Sequence, residues 1–136
     1  MNRLEQLQPT SCWPVYQRAN LRLLERTLQQ RSATPLMQRA GSVAAQLALA
    51  IAPHARHIWI AAGSGNNGGD GLETALNLQQ WGKNVLVSLL ADPEQLPPDA
   101  RQALQRAIQA GVKIQRDLPH ELLNTCLLYT SDAADE

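Results

Sequence analysis

Residues 58–71 read Ile58-Trp59-Ile60-Ala61-Ala62 and then Gly63-Ser64-Gly65-Asn66-Asn67-Gly68-Gly69-Asp70-Gly71. Five glycines, two asparagines and one aspartate within nine residues make a poor core segment and a poor generic linker. Glycine admits positive φ and lets a backbone approach a ligand closely, at an entropic cost in the unfolded chain. A simple turn needs only one or two such residues. Concentrating five of them between an apolar strand and a helix predicts a binding loop.

The run Gly63–Gly68 matches G-x-G-x-x-G in the required context, a strand before and an amphipathic helix after. That helix is expected to begin near Gly69–Gly71, with Leu72, Ala75, Leu76 and Trp81 at helical spacing. Gly82 stands where a C′ glycine belongs. Amides at such a helix start favour an anionic ligand. Asn66 and Asn67 each add an acceptor and a donor, suited to a polar ligand or to carbonyl coordination of a hard monovalent cation. Asp70 is expected in the first turn, where an ordinary dehydrogenase holds a dinucleotide pyrophosphate. Two anions there repel, so the phosphates bind elsewhere or the carboxylate turns to a hydroxyl or amide. A Walker phosphate loop is excluded, because Gly68 is followed by Gly69-Asp70, with no Lys and no Ser or Thr. The plainer alternative is a strand-to-helix turn with Asp70 as the cap and the asparagines in left-handed positions.

The nine-residue loop resembles, without a mismatch, the signature of the NAD(P)H-hydrate epimerases, the YjeF N-terminal domain family. Leu36-Met37-Gln38-Arg39-Ala40-Gly41 resembles that family's second block, usually L-M-E-R-A-G, with Gln38 in place of the acid. Arg22 and Glu25 fall where the family's first helix often carries a base and an acid. The resemblance covers roughly residues 14 to 123. It implies a Rossmann-like three-layer α/β/α fold with a parallel sheet and two N-terminal helices, acting on hydrated, damaged nicotinamide cofactors. It further implies that Asn66, Asn67, Gly68, Gly69 and Asp70 line the NAD(P)HX site and that Asn67 helps coordinate a potassium ion. No catalytic residue is assigned. The resemblance also admits a homodimer and a C-terminal ATP- or ADP-dependent dehydratase fused in the parent protein. Two other readings stay open: a nicotinamide-dependent oxidoreductase with Asp92 as the acid after the second strand, and a non-catalytic scaffold module.

Composition is consistent with this. Among 136 residues, 44% are apolar and 18% charged, ordinary for a globular domain. Twelve bases balance twelve acids, interspersed, which argues against a nucleic-acid surface. Cys12 and Cys126 lack C-x-x-C spacing and suit a reducing cytoplasm, the expected location. The N-terminus has no apolar core of a signal peptide. The stretch Val43 to Ala52 is too short to span a bilayer. His54 and His57 have no neighbouring ligand residues in sequence and read as solvated loop positions.

Outward from the loop, the spacing predicts a helix from Pro14 to Gln30. A second opens with Thr34 as N-cap and Pro35 at N1 and ends at Pro53. Leu36, Ala40, Val43, Ala44, Leu47 and Ile51 form its expected apolar face, while Ala40, Gly41, Ala44, Ala45 and Ala48 suggest close packing against another element. Met37 reads as core filler. A strand over Asn84–Leu90 follows, then a helix from Pro98 or Asp99 with Ala100, Ala103, Leu104, Ala107 and Ile108 inward and Gly111 at C′. Val112–Ile114 is a short third strand. Parallel strands joined this way bind ligands beyond their carboxyl ends.

After residue 124 the sequence Thr125-Cys126-Leu127-Leu128-Tyr129-Thr130-Ser131-Asp132-Ala133-Ala134-Asp135-Glu136 has no match to the family's next block, a strand ending in Asp that supplies the ion's other protein ligand. Residues 1–124 are therefore expected to be the N-terminal part of the domain and 125–136 a non-native tail. Such a fragment is expected to be inactive alone. By hydrophobicity, Thr125 to Tyr129 can still pair as a fourth strand.

Overall fold

The computed structural model describes residues 17–119 and 127–131. Cys12, Pro14 and Cys126 lie outside them. The chain divides into two units, residues 1–33 and residues 34–136. The first contains helix α1, Arg18–Arg31, which carries Arg22 and Glu25 on its exposed surface. Thr27 donates its hydroxyl to the Leu23 carbonyl within this helix.

The second unit holds α2 (Leu36–Ile51), β1 (His57–Ala62), α3 (Asn66–Gln80), β2 (Asn84–Leu89), a 3-10 turn at Pro93–Gln95, α4 (Pro98–Gln109), β3 (Lys113–Gln115) and β4 (Leu127–Ser131). The strands form one sheet in the order β3-β2-β1-β4, and every pairing is parallel. The α/β class with a parallel sheet is as the sequence predicted. β1 alternates in burial, with Ile58, Ile60 and Ala62 buried, and β2 buries Val85, Val87 and Leu89 on the same face. Helix α3 lies against this sheet between α2 and α4. Its Leu72, Ala75 and Leu78 are fully buried; a leucine so placed contributes about 1.5–3 kcal/mol.

Both predicted C′ glycines are in place, Gly82 at φ 80° and Gly111 at φ 81°. At each helix end the glycine amide and the next amide reach back to the last turn: Gly82 to Gln79 and Lys83 to Leu78, Gly111 to Ile108 and Val112 to Ala107. Paired bonds of this kind satisfy the helix's orphan carbonyls.

Three expectations need correcting. The outward face of α2 is the one hydropathy favoured, since Val43, Leu47 and Ile51 are exposed while Gly41, Ala45 and Ala48 are buried. Close approach to α3 decides that helix's orientation, and only small residues permit it. Pro35, not Thr34, is the N-cap of α2, without a side-chain cap bond. On α3 and α4, Trp81 and Ile108 are exposed although their spacing suggested the core.

On the other face of the sheet, Trp59 donates its indole N–H to the Ser88 hydroxyl at 2.9 Å. Ser88, fully buried, donates in turn to the Asp117 carbonyl at 2.8 Å. This chain of bonds ties β1 and β2 to the segment after β3.

Candidate active site at the end of β1

The glycine-rich loop leaves β1 at its carboxyl end, beside β4. In the order β3-β2-β1-β4 the chain runs outward from β1 in one direction and returns on its other side. Open α/β sheets bind ligands beyond the carboxyl ends of their strands at such a reversal, here between β1 and β4.

Helix α3 starts at Asn66 with Gly65 as its N-cap, three residues before the sequence predicted. The two asparagines are thus helical, and no residue but Gly82 and Gly111 has positive φ among those described. The glycines of the loop therefore do not serve a left-handed turn. A Cβ on Gly68 would fall 2.8 Å from the Gly63 carbonyl carbon. One on Gly69 would meet the Met37 Sδ and Cε at 2.6 Å and the Ala100 Cβ at 3.0 Å. These glycines let the first turn of α3 settle onto the strand end and under α2 and α4.

The second motif block packs against the first. Met37 covers Gly69, and a Cβ on Gly41 would lie 2.8 Å from the Glu73 carbonyl carbon and 2.9 Å from the Thr74 amide nitrogen. Met37 is core filler, as the sequence suggested. Gln38, in the acid's place, is half-buried.

Of the predicted site residues, Gly68 and Gly69 are buried supports, while Asn66 and Asn67 are exposed at the start of the helix. Asp70 is half-buried one turn later, four residues after Asn66 and three after Asn67, so the three polar side chains share one helix face. Asp70 is the fifth residue of the helix. It is neither a cap nor in the first turn, which corrects both positions considered from sequence. Burial, and then the charge of Glu73, raise its carboxyl from 3.8 to about 6. The carboxyl thus holds its proton into the mildly acidic range, on the helix face that it shares with Asn66 and Asn67.

Glu73 went unremarked in the sequence. It is 2% exposed and pairs with Arg106 of α4, whose Nε donates to Glu73 Oε1 at 3.0 Å and whose terminal nitrogen donates to the same oxygen. The signal that could have found it is its place on the inward stripe Gly69, Leu72, Glu73, Leu76 (i, i+3, i+4, i+7). Asp92, the acid of the oxidoreductase reading, accepts from the Glu94 amide at 3.2 Å, and Arg116 lies 3.7 Å away. It caps the 3-10 turn. His54 and His57 are exposed, the latter 3.4 Å from the Asn84 amide nitrogen. A cavity of about 380 Å³ lies at the opposite, amino end of the sheet, lined among others by His57, Asn84 and Lys113. It is remote from the loop end, where the ionisable and amide groups share one face.

The family described as "YjeF-related protein N-terminus" matches residues 33–132. The chain belongs to this family. It is 43% identical over 99 residues to the NAD(P)H-hydrate epimerase of Bordetella pertussis, covering 73% of this chain and 43% of that protein. With the NAD(P)H-hydrate epimerase of Rhodopirellula baltica it shares 35% identity over 115 residues, 85% of this chain and 46% of that one. The bifunctional NAD(P)H-hydrate repair enzyme Nnr of Thermofilum pendens is 31% identical over 100 residues, 71% of this chain and 19% of the enzyme. The crystal structure of yeast ynu0, YNL200c, superposes with a TM-score of 0.61 at 24% identity, over 76% of this chain and 47% of that one, which shows the shared fold. The chain thus spans less than half the length of these relatives. The residues matched to the family include β4.

Proposed function

We propose that the protein carrying this domain is an NAD(P)H-hydrate epimerase, an isomerase that interconverts the R and S hydrates of damaged nicotinamide cofactors. The observation that carries this reading is the shared face of Asn66, Asn67 and Asp70 at the start of α3, beyond the carboxyl end of β1, on a chain whose relatives bear that name. Inversion at the ring carbon bearing the added hydroxyl requires departure and return of water through a planar, iminium-like state. The chemistry needs hydrogen bonds that fix the ring and a group that exchanges protons near neutrality. The asparagines suit the first task, and Asp70 is the ionisable group of that face. The amides at the start of α3 favour the anionic part of the substrate.

Potassium belongs to the same reading. Asn67, exposed at the helix start, offers a neutral hard oxygen donor, and the Asp70 carboxyl one turn away adds charge. Such a set suits a weakly held monovalent cation and would complete its ligands from elsewhere in the protein or from water. A homodimer and a fused dehydratase domain in the parent are further parts of the proposal. No described helix is long and apolar enough to cross a membrane.

The test uses a protein carrying this domain at the full length of its relatives. It should accelerate equilibration of R- and S-NADHX, followed by chromatography, and faster in potassium than in choline chloride at equal ionic strength. It should leave NADH unoxidised in the presence of carbonyl substrates. Hydride transfer without epimerisation would move the assignment to the oxidoreductase.

A further inference from the structure

We propose that the amino end of the sheet carries a second binding site, for a small organic anion: an apolar body bearing one phosphate or carboxylate. The site lies at the opposite end of the strands from the glycine-rich loop and does not rest on the epimerase reading. The loops entering β1, β2 and β3, with the first residues of those strands, supply His54, Arg56, His57, Lys83 and Lys113 and no acid. The described acids of the second unit all lie elsewhere. Asp70 and Glu73 are in the first half of α3, Asp99 is in the first turn of α4, and Asp92, Glu94 and Asp117 follow β2 and β3. A chain of balanced overall charge thus gathers its bases at one end of the sheet.

One of these bases is structural. Lys83 donates its ammonium to the Pro53 and Ala55 carbonyls at 3.2 and 2.7 Å, beyond the end of α2. A cation beside a helix C-terminus needs no ligand to explain it. Lys113 is placed differently. It stands on β3, past the Gly111 cap of α4, and is exposed. Among the described residues, none bonds to its side chain.

The cavity of about 380 Å³ opens at this end, a volume in the range of small-molecule pockets. Ile58, Val85 and Leu86 line it with apolar groups, while His57, Asn84 and Lys113 add hydrogen-bond donors and charge. His57 pairs in register with Asn84, and Leu86 with Lys113, so strand alternation puts these four on the face turned away from α3. Ile58 and Val85 belong to the opposite face, so the cavity is built around the amino edge of the sheet. Asn84 Nδ2 lies 3.4 Å from His57 Nε2, which keeps these two side chains together. Gly111 also lines the cavity, and a Cβ there would meet nothing within 4 Å, so that side is open. Charge of one sign around a recess with apolar walls focuses its field there and selects anions. The head group pairs with the Lys113 ammonium and accepts from the Asn84 amide, while the body covers Leu86 and Val85. A neutral ligand of the same shape gains only the second part.

The experiment uses a protein carrying this domain at the full length of its relatives, so that a cavity filled by the rest of the chain gives no binding. Its backbone amides are followed by NMR as naphthyl phosphate, naphthoate and, as the neutral probe, naphthol are added. Both anions should shift amides at 57–59, 84–86 and 111–114 and leave 63–70 unmoved. Naphthol should bind about tenfold more weakly, the factor that one modest polar interaction supplies. Lys113→Met should weaken both anions by a similar factor and leave naphthol unchanged, and Lys113→Arg should restore the anions. The more tightly held of the two anions names the head group. Absence of shifts at millimolar anion, shifts confined to 63–70, equal affinity for naphthol, or an unchanged affinity in Lys113→Met each overturns the proposal. The readout needs no cofactor hydrate, so a failed epimerase assay would leave it intact, and its failure would leave the epimerase reading intact.

Discussion

The backbone carbonyl of Gly63 occupies the space that a side chain on Gly68 would need, 2.8 Å from its carbonyl carbon to the missing Cβ. The last residue before the loop turns and the first turn of α3 are therefore in direct backbone contact. Gly68→Ala should displace the start of α3 and cost about 1–3 kcal/mol, the scale of overpacking a tight interior. Urea denaturation would measure the loss, and amide shift changes should centre on residues 63–70. A neutral Gly68→Ala would mean the contact relaxes freely.

The second motif block makes a parallel prediction. A methyl at Gly41 meets the Glu73 and Thr74 backbone, which cannot rotate away. Gly41→Ala should separate α2 from α3 and destabilise by about 1–3 kcal/mol, whereas Val43→Ala, on the exposed side of the same helix, should stay within about 0.5 kcal/mol. Equal effects at the two positions would contradict the orientation of α2.

Asp70 gives a pH dependence with a definite sign. The native carboxyl holds its proton to about pH 6, while an unfolded aspartate releases it near 3.8. Between these values the folded state binds more protons, so stability falls as pH rises through the window and stays lower above it. Asp70→Asn removes that decline. It should match the wild type below the window and exceed it by roughly 1 kcal/mol near neutral pH, a figure reduced for the half-exposed position. Chemical denaturation at several pH values would read the difference; a less stable Asp70→Asn at neutral pH would contradict it.

Ser88→Ala should cost about 1–3 kcal/mol, because it strips the half-buried Trp59 indole N–H of its acceptor and leaves the Asp117 carbonyl with the Gln115 side-chain amide as donor in place of two donors. The Trp59 indole proton should then exchange faster with solvent by NMR. Unchanged exchange would mean another acceptor takes over.

Much of this architecture is legible in the amino-acid sequence alone. The strand–loop–helix order, both C′ glycines and the parallel sheet follow from Val85, Val87, Gly82, Gly111 and their spacing. What hydropathy cannot show is which contacts are closest. Asn66, Asn67 and two glycines are weak helix formers, so propensity places the start of α3 too late; the seat of Gly68 on Gly63 overrides it. Val43, Leu47 and Ile51 look like a core stripe, yet the seam with α3 admits only Gly41, Ala45 and Ala48. Glu73 reads as a surface acid because its partner, Arg106, is 33 residues away in sequence.

The seams beside α3 are lined with residues that have almost nothing left to lose: Ala45 and Ala48 on α2, Ala100, Ala103 and Ala107 on α4, Ala75 on α3 itself. A conventional interior of large side chains suffers most from truncation, which opens voids. Here the vulnerability is reversed along the seams. Evolution has few ways to shrink these positions and many to enlarge them, and each enlargement pushes apart the helices that hold the polar face at the sheet's end. Sequence drift in this protein should therefore be most constrained where its side chains are smallest, well away from any group that could touch a ligand.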